Sequence, residues 1–214
     1  MQWICLFSAL SSLILSQTPT TKPADAKLTR VLLITGRDVP AHNWRETSPA
    51  LREALEKSGK FEVVYCEEPL VLESATALET YDLILLNYYN WQRPSINDKA
   101  KANLLAFVKG GKGLVAFHFS VRAFEDWPEY QKLVGRIWIK GSGHGPRGSF
   151  DVKIIDKDHF ITKDVSDFKA DDELYAKLVG ETPIHVLATA DSDWSNRTEP
   201  MAWTLDYGKG RVFG

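Results

Sequence analysis

The sequence predicts an α/β domain: a mostly parallel, doubly wound sheet with an antiparallel extension toward the C-terminus. Three observations carry this. The first half holds uninterrupted β-branched and leucine runs of strand length. Amphipathic helical stretches closed by glycine lie between them. After residue 125 the segments shorten and crowd together as strands.

The first strand is "TRVLLIT", 29–35, apolar on both faces as a central parallel strand must be. The helix "ETSPALREALEKS", 46–58, places Leu51, Ala54, Leu55 and Ser58 on one side and stops at Gly59. "FEVVYC", 61–66, is the second strand and "YDLILLN", 81–87, the third. A helix from residue 96 turns Ala100, Leu104, Phe107 and Val108 inward and ends at Gly110-Gly111. "GLVAFHF", 113–119, is the fourth strand, and "FEDWPEYQKLVG" follows as a short helix. "GSGHGPRGS" is a glycine-rich loop; "FDVKIID", "ELYAKLV", "IHVLATA", "MAWTLDY" and "GRVFG" form the shorter strands of the extension.

Composition narrows the function. The chain has 214 residues, 44% hydrophobic and 25% charged, enough for one sizeable core. With 26 Lys+Arg against 28 Asp+Glu there is no basic excess, so nucleic acid is not an expected partner. Residues 1–26 divide into an apolar run, "MQWICLFSALSSLIL", and a polar spacer. The run is too short for a bilayer and of signal-peptide length, which predicts export to a periplasmic or extracellular space and no membrane association after cleavage. Residues 27–214 are then the domain, with Cys66 its only thiol and no intramolecular disulfide.

Loops at the carboxyl ends of the strands converge on one crevice in such sheets, so those loops are where to look for chemistry. "GRDVPAHNW" follows strand one and carries His42 and Trp44. "NYYNWQRP" at the end of strand three carries Asn87, Tyr88 and Trp91. His118, Ser120 and Arg122 follow strand four, and the glycine-rich loop brings His144. Three imidazoles at one sheet edge, or two of them with a carboxylate, suit a divalent metal such as zinc, with an open position for water. They suit metal-free acid/base catalysis equally, and each can instead merely cap a loop. Glu173 follows the acidic pair Asp171-Asp172, read as a solvated turn, and opens an apolar strand from which it can reach the crevice. Trp44 and Trp91 offer flat faces for a sugar ring, whereas Trp138, Trp203, His159 and His185 read as structural. No GxGxxG follows strand one and no GxxxxGK[ST] occurs, so no nucleotide cofactor is expected. The corner after strand four is neither G-x-S-x-G nor G-x-C-x-G: His118 stands where a nucleophile would.

Taken in order, "VLLITG" with "HNW", "GKGLVAFHFS", "WPEYQKLVG", "GSGHG", "DHFIT", "DDELY" and "PMAWTLDYGKGRVF" resemble the ThuA-like, or trehalose-utilisation, family over nearly everything from Thr29 onward. The resemblance implies a flavodoxin-like fold similar to class I glutamine amidotransferases and a role in carbohydrate metabolism, including keto-disaccharides. It implies histidine at the amidotransferase cysteine's corner, here His118, with His42, His144 and Glu173 as the other polar site residues. It also implies a domain that runs beyond Gly214, since family members continue past "GRVF" into a Gly-His pair. The expected protein is an exported enzyme for a sugar or keto-sugar. Trp44, Trp91, Asn87, Tyr88 and Arg122 contact the substrate, and homo-oligomerisation is left open. The alternative is a non-catalytic carbohydrate-binding or scaffolding domain.

Overall fold

A computed structural model describes residues 27–214; the predicted signal peptide and spacer lie outside the described residues. The strands are β1 (Thr29–Ile34), β2 (Phe61–Cys66), β3 (Leu83–Leu86), β4 (Gly113–Ala116), β5 (Gly143–His144) and β6 (Gly148–Ile154). They continue with β7 (Phe168–Asp172), β8 (Tyr175–Ala176), β9 (His185–Ser192), β10 (Arg197–Tyr207) and β11 (Gly210–Phe213). The helices are α1 (Trp44–Glu56), α2 (Ala75–Glu79), α3 (Asp98–Lys109) and α4 (Pro128–Val134).

Nine strands form one sheet in the order β2-β1-β3-β4-β11-β10-β9-β6-β7. The first five are mutually parallel and follow the flavodoxin-like order, with β11 as fifth strand. From β11 onward each pairing is antiparallel. The predicted fold class therefore holds, with one refinement: "GRVFG" belongs to the parallel core. A tight turn returns the chain there. Gly208 has φ 66°, and a Cβ on Gly210 would lie 2.1 Å from the Val108 carbonyl oxygen, so only glycine lets the turn pack against the end of α3.

The uninterrupted apolar run of β1 is explained by its two covered faces. Val31 and Leu33 pack with Val63 and Leu85 beneath Leu51 and Leu55 of α1. Leu32 and Ile34 point oppositely, into the main core with Leu104 of α3 and Leu133 of α4. Side chains alternate across a strand, so a strand sandwiched between helices must be apolar at every position. Asn97 caps α3, its Oδ1 accepting from Ala100 N at 2.9 Å.

Several local expectations are corrected. β4 ends at Ala116, short of residue 119, because His118 takes a left-handed backbone (φ 47°) and starts a 3-10 turn over His118–Arg122. "ELYAKLV" contributes only the two residues of β8, since Lys177 is also left-handed (φ 57°). Asp171 and Asp172 are not in a turn: they close β7, an edge strand paired with β6 whose side chains are mostly exposed. Residues 69–79, to which sequence assigned no element, form a 3-10 turn followed by α2. No helix among the described residues is long and apolar enough to cross a membrane.

Candidate functional site

His42 sits on the loop between β1 and α1. His118 sits at the corner after β4, where its positive φ is a conformation that a side chain with a Cβ adopts only at a cost. The surroundings enforce it. Ser120 Oγ donates to the Leu86 carbonyl (2.7 Å) and accepts from Tyr88 N (3.0 Å), and Tyr130 OH donates to the Ser120 carbonyl (2.8 Å). The turn is thereby bound to the ends of β3 and α4, and the imidazole is held out of it.

The other half of the site comes from the antiparallel side. His144 lies in β5, whose pairing with β8 sets it opposite Tyr175. Trp194, from the β9–β10 turn, covers this segment so closely that a Cβ on Gly143 would lie 2.6 Å from the indole. Glu173 lies between β7 and β8, and in an extended chain residues two apart share a face, so Tyr175 follows it into the site.

These groups converge. Glu173 Oε2 is 3.7 Å from His118 Nε2 and 4.0 Å from His42 Nε2, and its Oε1 is 3.7 Å from His144 Nε2. Tyr175 OH is 3.3 Å from His42 Nε2, and its ring stacks on His118 at 4.4 Å. Phe119 stacks on His42 at 4.6 Å with the rings 2° from parallel. His144 Nδ1 lies 2.6 Å from the Gly145 carbonyl. A carbonyl only accepts, so Nδ1 carries a proton and Nε2 is the nitrogen turned toward Glu173.

Burial dominates the electrostatics. It pushes the His118 imidazole down to about 4, and the neighbouring carboxylates Asp172 and Glu173 only partly oppose it. Burial lowers His42 likewise. Both rings are neutral at physiological pH. Burial, reinforced by Glu173 and Asp172, raises Tyr175, which keeps its proton.

Distances of 3.7–4.0 Å are too long for hydrogen bonds, yet they bring donor atoms around a common point. A tetrahedral zinc with bonds of about 2.0–2.1 Å holds its ligand atoms about 3.4 Å apart. The distances from Glu173 Oε2 to the two histidine nitrogens, 3.7 and 4.0 Å, exceed that by about 0.3–0.6 Å. The ligand atoms of His42, His118 and Glu173 all lie within 4.8 Å of one another, so an inward shift of these side chains completes a His2Glu set. Neutral imidazoles beside one carboxylate, in a region that is mostly buried, form a donor set suited to a divalent cation.

A cleft of about 190 Å³ opens onto this cluster, lined among others by His42, Arg122, Trp138, His144, Glu173 and Tyr175, with Tyr89, Trp91 and Phe119 along the wall. Of the residues expected from sequence, His42, His118, His144 and Glu173 come together, and Trp91 and Arg122 line the cleft. Three do not reach it. Trp44 is buried, its Nε1 donating to Asp38 at 2.8 Å. Asn87 is buried and donates to Thr47 Oγ1 and Ser48 Oγ, fastening α1 to β3. Tyr88 packs in the main core. Trp138, read as core, packs against the main core and also lines the cleft, its ring 4.8 Å from Tyr175. Tyr175 and Tyr89 were not foreseen, although the Glu-x-Tyr spacing at 173–175 contained the signal for the first. Trp203 is buried as expected, and His159 and His185 lie elsewhere, His185 against Asp156 at 2.7 Å.

Known proteins similar to this chain include members of one family. The family model ThuA, described as trehalose utilisation, matches residues 30–214. A crystal structure of a ThuA-like protein from Parabacteroides merdae is 28% identical, with a TM-score of 0.74 over 87% of this chain and 78% of that one. A second, from Bacteroides uniformis, is 16% identical, with a TM-score of 0.68 over 90% and 84%. A glutamine amidotransferase from Thermotoga maritima aligns over 88% of this chain and 76% of that one at 14% identity, with a TM-score of 0.37. A search of curated protein sequences finds no match.

Proposed function

The chain belongs to the ThuA family of trehalose utilisation, and from that premise we propose that it is an enzyme acting on a sugar or keto-sugar by metal-assisted acid/base chemistry. Family membership supports the carbohydrate-related role. The observation that carries the chemistry is the convergence of His42, His118 and Glu173 with separations that suit a divalent ion and fit no direct hydrogen bond.

In this reading those three residues hold the metal. A bound divalent ion supplies positive charge that polarises a carbonyl or activates water near neutral pH. The chain's own groups do the rest. His144 is free to take a proton at Nε2, because its Nδ1–H is committed to the Gly145 carbonyl. Tyr175 presents a protonated hydroxyl beside His42 that can donate to a substrate oxygen. Trp138 and Trp91 offer apolar faces to a sugar ring. With histidine at the corner after β4, no thiol or hydroxyl stands there for covalent acyl transfer.

Elemental analysis and turnover of a keto-disaccharide test the proposal together. The expected result is one divalent ion per chain and metal-dependent turnover, both lost in His118→Ala. A metal-free wild-type protein that turns the sugar over at full rate would overturn the metal role. Saturable sugar binding without turnover, with or without metal, would favour a non-catalytic binding domain.

A further inference from the structure

Arg122 ends the same 3-10 turn that begins at His118, and its side chain lines the cleft. The guanidinium carbon lies 5.3 Å from the Tyr89 ring centroid and 5.7 Å from that of Trp138. Nε donates to Glu125 Oε1, which also accepts from Tyr89 OH at 2.9 Å. The guanidinium is thus held by two aromatic rings and one carboxylate, and with Nε paired its two terminal nitrogens have no protein partner among the described residues.

That arrangement constrains the guest. A guanidinium presents a rigid fork that pairs with two oxygens at once. Here Glu125 offsets its charge at Nε, and Glu173 would be committed to the ion, so a second carboxylate at the guanidinium gains little. Two neighbouring neutral hydroxyls suit the fork better. Size adds a limit, because about 190 Å³ is below the roughly 300–1,000 Å³ typical of drug-sized ligands. One sugar ring fits, and the remainder of a larger sugar stays outside.

We propose that Arg122, clamped by Glu125, Tyr89 and Trp138, selects the substrate by gripping two neighbouring hydroxyls on a single uncharged ring at the end of a sugar. This rests on the carbohydrate reading above and adds to it a ring-sized subsite, a charge preference and the residue that sets both. Arg122 orients the ring and leaves proton transfer to the histidine–glutamate cluster.

The test measures binding of methyl glucoside, its deoxy analogues and methyl glucuronide to wild type, Arg122→Ala, Arg122→Lys and Glu125→Gln, with zinc stoichiometry and melting temperature recorded for each. Wild type should prefer the glucoside to the glucuronide. Arg122→Ala should weaken the glucoside about 10–100-fold, the range expected for lost hydrogen bonds to a charged group. Lysine should not restore it. Removing one hydroxyl of the gripped pair should weaken binding to wild type and leave Arg122→Ala unaffected, a coupling that general loosening of the fold does not produce. Glu125→Gln should shift the preference several-fold toward the glucuronide, with zinc unchanged. Wild-type-like glucoside binding by Arg122→Ala, an unmoved preference in Glu125→Gln, or no sugar binding by wild type would each overturn the inference. Loss of zinc binding in every protein with these sugar effects intact would instead overturn the metal role and leave the inference standing.

Discussion

The parallel and antiparallel halves of the sheet bring different things to the same cleft. β2-β1-β3-β4-β11, covered by helices on both faces, delivers His42 and His118 from the carboxyl ends of β1 and β4. β10-β9-β6-β7 and the small β5–β8 pair deliver Glu173, Tyr175 and His144. The parallel side supplies two neutral imidazoles on a rigid base, and the antiparallel side supplies the carboxylate that gives the cluster its charge. Neither half holds a complete site, and the cleft exists because β11 joins them between β4 and β10.

If that division is right, removing one ligand from either side should be about equally damaging. His118→Ala and Glu173→Ala should each reduce divalent-metal affinity by more than the 10–100-fold (roughly) that accompanies loss of an outer-shell partner, as read by competitive titration with a chromogenic chelator. A large loss in one variant and none in the other would mean that only one half binds the ion. Stability should divide differently, because the parallel half contains most of the main core. Leu104→Ala, at a side chain with no exposure, should cost about 2–5 kcal/mol in urea unfolding. Phe160→Ala, at a residue 65% exposed beyond β6, should stay within about 0.5 kcal/mol.

The two halves also differed in how legible they were from sequence. β1, β2, β3 and α3 could be read because burial on defined faces leaves a strong periodic pattern, and tertiary contacts agree with it. β5 and β8 are two residues each, too short for any period, and form because the two segments meet. β7 has mostly exposed side chains and so carries no alternating apolar face to recognise. The site was legible where polar residues stood on loops after recognisable strands, as with His42 and His118. Asn87 and Tyr88 misled because the first residues past β3 still point into the fold, where Asn87 ties down α1. Trp138 was legible only in part, since its apolar neighbours Ile137 and Ile139 mark its contact with the core while its ring also forms the cleft wall.

Acidification should reveal the cost of burying His118. Its pKa is depressed on folding from about 6.5 to about 4, so the unfolded chain binds the proton more readily within that window. The stability present above pH 6.5 should therefore decline as the pH falls through 4. In chelator-treated protein, the urea midpoint should drop less between pH 7 and pH 4.5 for His118→Gln than for wild type. Equal drops would show that the imidazole is not desolvated as described. A smaller effect belongs to the support of His144. Gly143→Ala places a methyl group against Trp194 and should weaken sugar binding a few-fold with little loss of overall stability. A wild-type affinity would mean that the indole does not fix the position of the β5 segment.

The central claim is that the two halves meet around one divalent ion, and X-ray absorption on zinc-loaded protein tests it most directly. The account predicts one zinc per chain in a nitrogen/oxygen shell with two imidazoles at about 2.0–2.1 Å, and loss of that spectrum in both His118→Ala and Glu173→Ala. Substoichiometric zinc, or the same spectrum persisting in either variant, would contradict it.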